Sequence, residues 1–241
     1  MTQFLSPVAL DFLWESLGAG ELPYPLDVRS HGATMDERSA LRQRVYQELR
    51  DQQLLDGRGR IEPHLEDWLT LLARADHSID SVFQPTRGEA LSALAVGDGA
   101  LALLATQRDD GLWLRPIDPD SLASAVVDQL PPAGRGPEQS ITVPADALSA
   151  MEAGRPAGRS PADQKVLAAI SAEPKLRAGQ LAVNARHNLG GRSRSPVVSW
   201  FDTEAGRYMT YTTNDWVTIA PADKATLRHR LNELLRDVSR P

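Results

Sequence analysis

Three features of this 241-residue sequence predict an α+β protein built on a mostly antiparallel sheet. Two stretches, 77–118 and 177–220, alternate apolar and polar residues and are cut by turn sequences into short strands. Helical stripes of apolar residues lie before and after each stretch. The order of elements also recurs: both halves read β-α-α-β-β-β-(β)-α, the first preceded by one further helix. Hairpin-joined strands with helices at their ends are the pattern of an α+β fold. Joining the two half-sheets into one would bury two edges that otherwise invite aggregation. The expected units are an N-terminal half, 1–130, and a C-terminal half, 140–241, within one compact domain.

Element by element, Ser6-Pro7 starts a helix, with a capping side chain and then proline where its missing N–H costs nothing. Leu10, Leu13, Trp14 and Leu17 form its apolar stripe, and Gly18 and Gly20 end it. Leu22 to Val28 reads as a short strand, placed at an edge because Pro23 and Pro25 cannot donate to a ladder. Thr34 and Glu37 make a capping box for a helix over 35–53, with Leu41, Val45 and Leu49 on one face. Asp56 to Gly59 breaks the chain. Pro63 restarts a helix on which Leu65, Trp68, Leu69 and Leu72 align. Strands are predicted at 78–84, 89–96, 100–107 and 112–117, between the turns at Pro85–Gly88, Gly97-Asp98-Gly99 and Asp109-Asp110-Gly111. A helix from Asp120 to Leu130 closes this half, and the Pro/Gly-rich stretch 131–139 reads as a linker.

The second half opens with a strand at 140–144 and a short helix at 145–152. A helix from Pro161, capped by Ser160, follows. Strands are predicted at 177–186, 196–203, 206–213 and 215–220. A last helix over 221–239 aligns Leu227, Leu231, Leu234, Leu235 and Val238.

Composition narrows the chemistry. There is no cysteine, which removes disulfides, thiolate metal sites and cysteine nucleophiles. No pair among His31, His64, His77, His187 and His229 has the helical spacing of a zinc protease, and no nucleophile elbow, P-loop or dinucleotide fingerprint is present. Glu62, Glu66 and Asp67 suit the first turn of a helix, and Asp109 and Asp110 suit a turn. No catalytic residue, metal ligand or cofactor site is therefore assigned. The opening residues lack the basic start of a signal peptide, and no apolar run is long enough to span a membrane, so a soluble cytoplasmic protein is expected. The net charge of −6 disfavours non-specific nucleic-acid binding. That charge is split: residues 1–130 carry 11 basic and 21 acidic side chains, residues 131–241 carry 15 and 11. A partner with a complementary dipole would be steered by this asymmetry. Arg186 to Arg194, with glycines and three arginines between two strands, reads as a basic hairpin loop. Its alternative use is a phosphate cradle in a small-molecule or phosphate-binding enzyme. A third class, a winged-helix-like DNA-binding module, is suggested by helices 35–53 and 63–74 followed by a hairpin. The acidic start of the second helix opposes it.

Several segments together resemble the EspG family, the cytoplasmic chaperones associated with ESX (type VII) secretion in mycobacteria and related actinobacteria. They are Glu21-Leu22-Pro23-Tyr24-Pro25-Leu26 after the first helix, and the run from Glu37 through Leu54-Leu55-Asp56-Gly57 and Pro63 to Leu72. Arg74-Ala75-Asp76-His77-Ser78-Ile79, Arg186-His187 with Gly190-Gly191, and Trp200-Phe201-Asp202-Thr203 and Gly206-Arg207-Tyr208 with the terminal amphipathic helix complete the set. The resemblance implies a central antiparallel sheet flanked by two helical bundles, with quasi-twofold halves. It implies no enzymatic activity and no cofactor. It implies binding of the PPE subunit of PE–PPE heterodimers through the PPE helical tip, which keeps them soluble and targets them for secretion. Neither nucleic acid nor membrane insertion is implied, and a homodimer is compatible with the sequence. By the same resemblance the partner-binding residues are those of the short loop between the second and third strands, Gln84, Pro85, Thr86, Arg87 and Gly88. A C-terminal bundle of the helices at 145–152, 161–172 and 221–239 would join them.

Overall fold

Local chemistry starts the helices where the sequence places them. The computed structural model describes residues 2–85, 90–146, 161–187 and 191–239. In α1 (Pro7–Leu17) the Ser6 hydroxyl accepts the Ala9 N–H at 3.2 Å, and Gly18 closes the helix at φ 63°. In α2 (Met35–Asp51) Thr34 accepts from the Glu37 N–H, while Glu37 reaches back to the Ala33 N–H. In α3 (Pro63–Arg74) the Glu62 carboxylate takes the capping role, accepting from the Leu65 N–H at 3.0 Å.

The strands are β1 (Gln3–Leu5), β2 (His77–Pro85), β3 (Leu91–Gly97), β4 (Ala102–Arg108), β5 (Gly111–Pro116), β6 (Ile141–Pro144), β7 (Arg177–Arg186), β8 (Arg192–Arg194), β9 (Val198–Asp202), β10 (Arg207–Thr213) and β11 (Trp216–Pro221). All lie in one sheet of order β1-β5-β4-β3-β2-β7-β9-β10-β11-β6, with β8 paired to β7 off this path. Every strand pair is antiparallel. The order reads the same from either end. In each half the opening edge strand pairs with the last strand of its series, and the first strands, β2 and β7, meet in the middle. That seam runs from His77↔Ala185 to Pro85↔Arg177, so Ser81 and Leu181 face each other at its centre.

Helices cover both faces. On the front face α1, α2 and α3 bury Leu10, Leu13, Trp14, Leu65, Trp68, Leu69 and Leu72 against Leu94, Val96, Leu103, Ala105, Leu112 and Leu114 of β3–β5. At the far end of the same face α5 (Pro161–Ala172) sets Leu167 and Ile170 on Ile141, Val143, Tyr208 and Ile219. On the back face α4 (Leu122–Val127) and α6 (Lys224–Val238) pack against one another and on Ile79, Ala93, Ala95, Leu104, Leu181, Val183, Trp200 and Met209. α4 is shorter than the predicted 120–130 helix because a 3-10 turn at Pro119–Ser121, capped by Asp118, occupies its start.

Three sequence expectations are corrected. Residues 22–28 are not a strand. They form an irregular connection in which the Asp27 N–H donates to the Gln107 side-chain carbonyl at 2.8 Å. With Pro23 and Pro25 lacking donors, no ladder can form there. The edge strand of the first half is instead β1, before α1, so α1 belongs inside the repeated unit rather than ahead of it. Residues 131–136 are not a loose linker. The Arg207 N–H donates to the Gly134 carbonyl at 2.8 Å, Gly136 N–H to the Arg207 carbonyl at 3.0 Å, and the Arg207 guanidinium to the Pro131 carbonyl at 2.8 Å. Two glycines permit this strap. A Cβ on Gly136 would lie 2.3 Å from the Tyr208 ring, and one on Gly206 (φ 144°) 2.7 Å from the Arg135 carbonyl.

Candidate functional site

Between the two helical layers of the front face, no helix among the described residues covers the middle of the sheet. Register puts Gln107, Ser92, Val82, Gln180, Ser199 and Thr210 in one cross-strand row, with Gln84 and Ala178 in the next. Gln84, Ala178 and Gln180 are exposed, and Val82, Ser92, Ser199 and Thr210 are half-buried. Cross-strand partners share a face, so these side chains form one strip over β2, β7 and β9. No helix of the described residues seals the strip. The residues of these rows are uncharged and none is aromatic, which makes a surface able to accept a rounded partner.

Of the expected partner-binding residues, Gln84 ends this strip as an exposed side chain of β2, and Pro85 is the last residue of that strand. Thr86, Arg87 and Gly88 lie outside the described residues. So does most of the expected 145–152 helix. The other two members of the expected C-terminal bundle are not neighbours: α5 lies on the front face and α6 on the back. Both have correct amphipathic stripes, but a stripe states only that a helix is covered on one side. Of these two, α5 alone shares a face with the open strip.

The basic hairpin is built from β7 and β8, with the His187 N–H donating to the Gly191 carbonyl at 2.8 Å. Its arginines serve the fold in part. Arg194 forms a forked pair with Asp80, at 2.6 and 3.0 Å, and Asn184 donates to the same carboxylate at 2.8 Å. Asp80 is 3% exposed, so this charge is compensated by three hydrogen bonds. Arg186 donates to the Ala73 carbonyl at 3.0 Å. The hairpin is thus a tie between sheet and α3 rather than a loop of free glycines. Asn188 to Gly190 lie outside the described residues.

The histidines are dispersed. His31 faces Asp11, His64 packs on Trp68, His77 meets Ser239, His187 meets Ser193, and His229 faces Glu233. Among the described residues no three His, Asp or Glu side chains gather as a metal site, and no helix is long and apolar enough to cross a membrane. Of the strand tryptophans, Trp200 is buried beneath the back-face helices, and Trp113 is 41% exposed beside Phe4.

The segment Trp200 to Tyr208 holds functional-looking residues whose role is internal. Arg207 is fully buried and forked onto Asp202 at 2.7 and 2.9 Å, with Arg177 adding a third contact at 3.0 Å. Its guanidinium also stands 4.6 Å from the Trp200 ring. The sequence signal, an acid and an arginine across a turn, was visible; its partner, the 131–136 strap, was not.

Fold and surface together define an α+β protein whose described residues leave a strip of sheet uncovered between two helical layers. The EspG family model matches residues 6–233, and the chain belongs to the EspG family. Among solved structures it is similar to a chain in the complex of the Mycobacterium tuberculosis type VII secretion system chaperone EspG5 with a PE25–PPE41 dimer. The TM-score is 0.74 at 15% sequence identity, over 98% of this chain and 96% of that chain. At that identity the likeness is one of fold. No curated protein sequence matches the chain significantly.

Proposed function

We propose that this chain is a chaperone of type VII secretion that binds the PPE subunit of a PE–PPE heterodimer, keeps it soluble and presents it for export. Family membership over residues 6–233 carries the reading. The similar fold of a chain from a structure in which EspG5 is in complex with PE25–PPE41 supports it. The cargo surface is the open strip over β2, β7 and β9, extended by Gln84, Pro85, Thr86, Arg87 and Gly88 and bordered by α5. The chain works in the cytoplasm, before export, and acts as a binding protein rather than an enzyme. Residues 1–130 and 140–241 are the two quasi-twofold units, joined by the strap.

The mechanism is steric. A helical tip that exposes apolar side chains self-associates, and covering it removes that patch from water. Release must follow, which suits an interface of ordinary size with a polar rim. Uncharged, mostly polar side chains along the strip give contact area without deep anchoring. The net positive charge of residues 131–241 favours an acidic tip.

Co-expression with PE–PPE pairs from the same genome and a pull-down tests the reading. Titration calorimetry then compares wild type with Arg87→Glu at two salt concentrations. The substitution weakens binding, and weakens it less at high salt, where screening mutes the charge. Equal affinities would remove the loop from the interface. Failure to bind any cognate pair would overturn the function.

A further inference from the structure

Arg194, on β8, uses only part of its guanidinium inside the molecule. The Asp80 carboxylate takes the end of the group, one oxygen on Nη1 at 2.6 Å and the other on Nη2 at 3.0 Å. The Asn184 side-chain carbonyl takes the remaining Nη1 hydrogen at 2.9 Å. The Nε–H and the second Nη2 hydrogen have no acceptor among the described residues. These two N–H bonds lie parallel along one edge of the planar group. They make a second fork, of the geometry that a carboxylate fills with both its oxygens. The Arg194 side chain is 43% exposed, whereas that of Asp80 is buried. A buried carboxylate thus holds an accessible cation in one plane.

The position of this fork ties it to the cargo strip. Asp80 stands two residues before Val82 on the same face of β2, and its cross-strand partner Ala182 two residues after Gln180 on β7. Two residues along a strand span about 7 Å. The cluster therefore borders the strip at the end away from Gln84. Two exposed side chains add contact area there. Tyr24 is 60% exposed with its ring 5.5 Å from the Arg194 guanidinium, and exposed Val197 leads from the hairpin into β9. Arginine and tyrosine are among the residues that carry most binding energy at protein interfaces. The local charge has the matching sign: segment 186–195 holds Arg186, Arg192 and Arg194 and no acidic residue. The strip itself is uncharged, which leaves charge recognition to its ends.

We infer that Arg194 is a specificity-determining residue of the cargo surface: its free fork pairs with one acidic side chain of the bound PPE subunit, and Asp80 is the positioning residue that fixes the fork. The inference rests on the function proposed above. A buried carboxylate is a costly way to hold a hairpin, since a well-packed apolar pair serves stability equally well. What the buried charge adds is a guanidinium oriented before the partner arrives, which lowers the ordering cost of binding.

The test uses the full chain and a purified PE–PPE dimer that the wild type captures, read by titration calorimetry. Arg194→Lys keeps a cation beside Asp80 but lacks the second fork. It weakens binding about tenfold or more, and less at high salt. On the cargo, each Asp and Glu of the PPE helical tip is changed to its amide. One of these variants weakens binding to the wild-type chain by a similar factor and weakens it no further for Arg194→Lys. A purely structural role for Arg194 would not produce that coupling, and the cargo variants are read on the unaltered chain. Unchanged affinity of Arg194→Lys, no effect of any amide variant on the wild type, or effects that simply add for every acid would each overturn the inference and leave the chaperone function standing. Failure of the wild type to capture any cognate dimer would overturn the function and this inference with it.

Discussion

At the scale of single residues, two buried ion pairs hold distant segments. Arg207 is forked on Asp202 and its guanidinium also holds the Pro131 carbonyl of the strap, so removing the side chain leaves Asp202 partly uncompensated and frees that one strap bond, while the two backbone bonds to Gly134 and Gly136 remain. Arg207→Ala should cost about 3–5 kcal/mol, in line with breaking one side of a buried pair. For a chain of this size that lowers the thermal midpoint by roughly 10 °C, measurable by scanning calorimetry. Asp11, in α1, is the other case. Burial alone would raise its pKa, but hydrogen bonds from Arg38 and the His31 N–H, with the charge of Arg38, outweigh burial and hold the carboxyl below its usual value. A depressed carboxylate pKa adds stability above the unfolded value near 4, and that stability is lost as pH falls through the folded value. Asp11→Asn should therefore be destabilised by about 2 kcal/mol at neutral pH. The gap to wild type should shrink as pH approaches 3, in urea titrations across that range; a constant gap would show that the pair is electrostatically idle.

At the scale of elements, cover differs sharply between helices. α6 buries Leu227, Leu231 and Leu234 in the back-face core, and Leu231→Ala should cost 2–5 kcal/mol. α2 is a 17-residue helix that buries only Val45 and Leu49. Its first half is held by polar contacts: Arg38 and Arg42 stack on Phe12 at 4.6 and 5.3 Å and reach Asp11 and Glu15. Few apolar contacts mean a low local opening energy. Hydrogen-exchange mass spectrometry should show the first turns of α2 exchanging well before β2 and β7, which are paired on both sides over most of their length. Matching protection in the two would contradict this ranking. Periodicity made these elements legible because α1, α3 and β3 to β5 each carry an unambiguous stripe or alternation. β1 leaves no sequence signal because three residues are too few to show a period, and 22–28 is no strand because alternation without backbone donors does not make a ladder.

At the scale of the molecule, the antiparallel β2–β7 seam makes one continuous sheet whose front centre no helix among the described residues covers. Gln180→Arg places a long cation in the middle of the strip, on an exposed position that needs no repacking. It should leave the thermal midpoint within about 0.5 kcal/mol of wild type in stability and weaken PE–PPE capture, read by calorimetry with a purified dimer. Unchanged affinity would move the cargo surface off the strip.

The sequence by itself determined the class of fold, the turns, most strand positions and the absence of cysteine chemistry, because these follow from local patterns of apolar and turn-forming residues. It also carried the family, through an ordered set of short segments rather than a catalytic motif. Only the tertiary structure decided which face each helix covers, that α5 and α6 lie on opposite sides, and that β1 closes the first half. It alone made the Pro/Gly-rich stretch 131–136 a strap, since its partner Arg207 lies some seventy residues away along the chain. The candidate site was half legible for the same reason. Gln84 stands at the end of a strand that the alternation reveals, but Ser92, Gln180 and Ser199 become neighbours only through strand register, which is set by long-range pairing and burial rather than by any local signal.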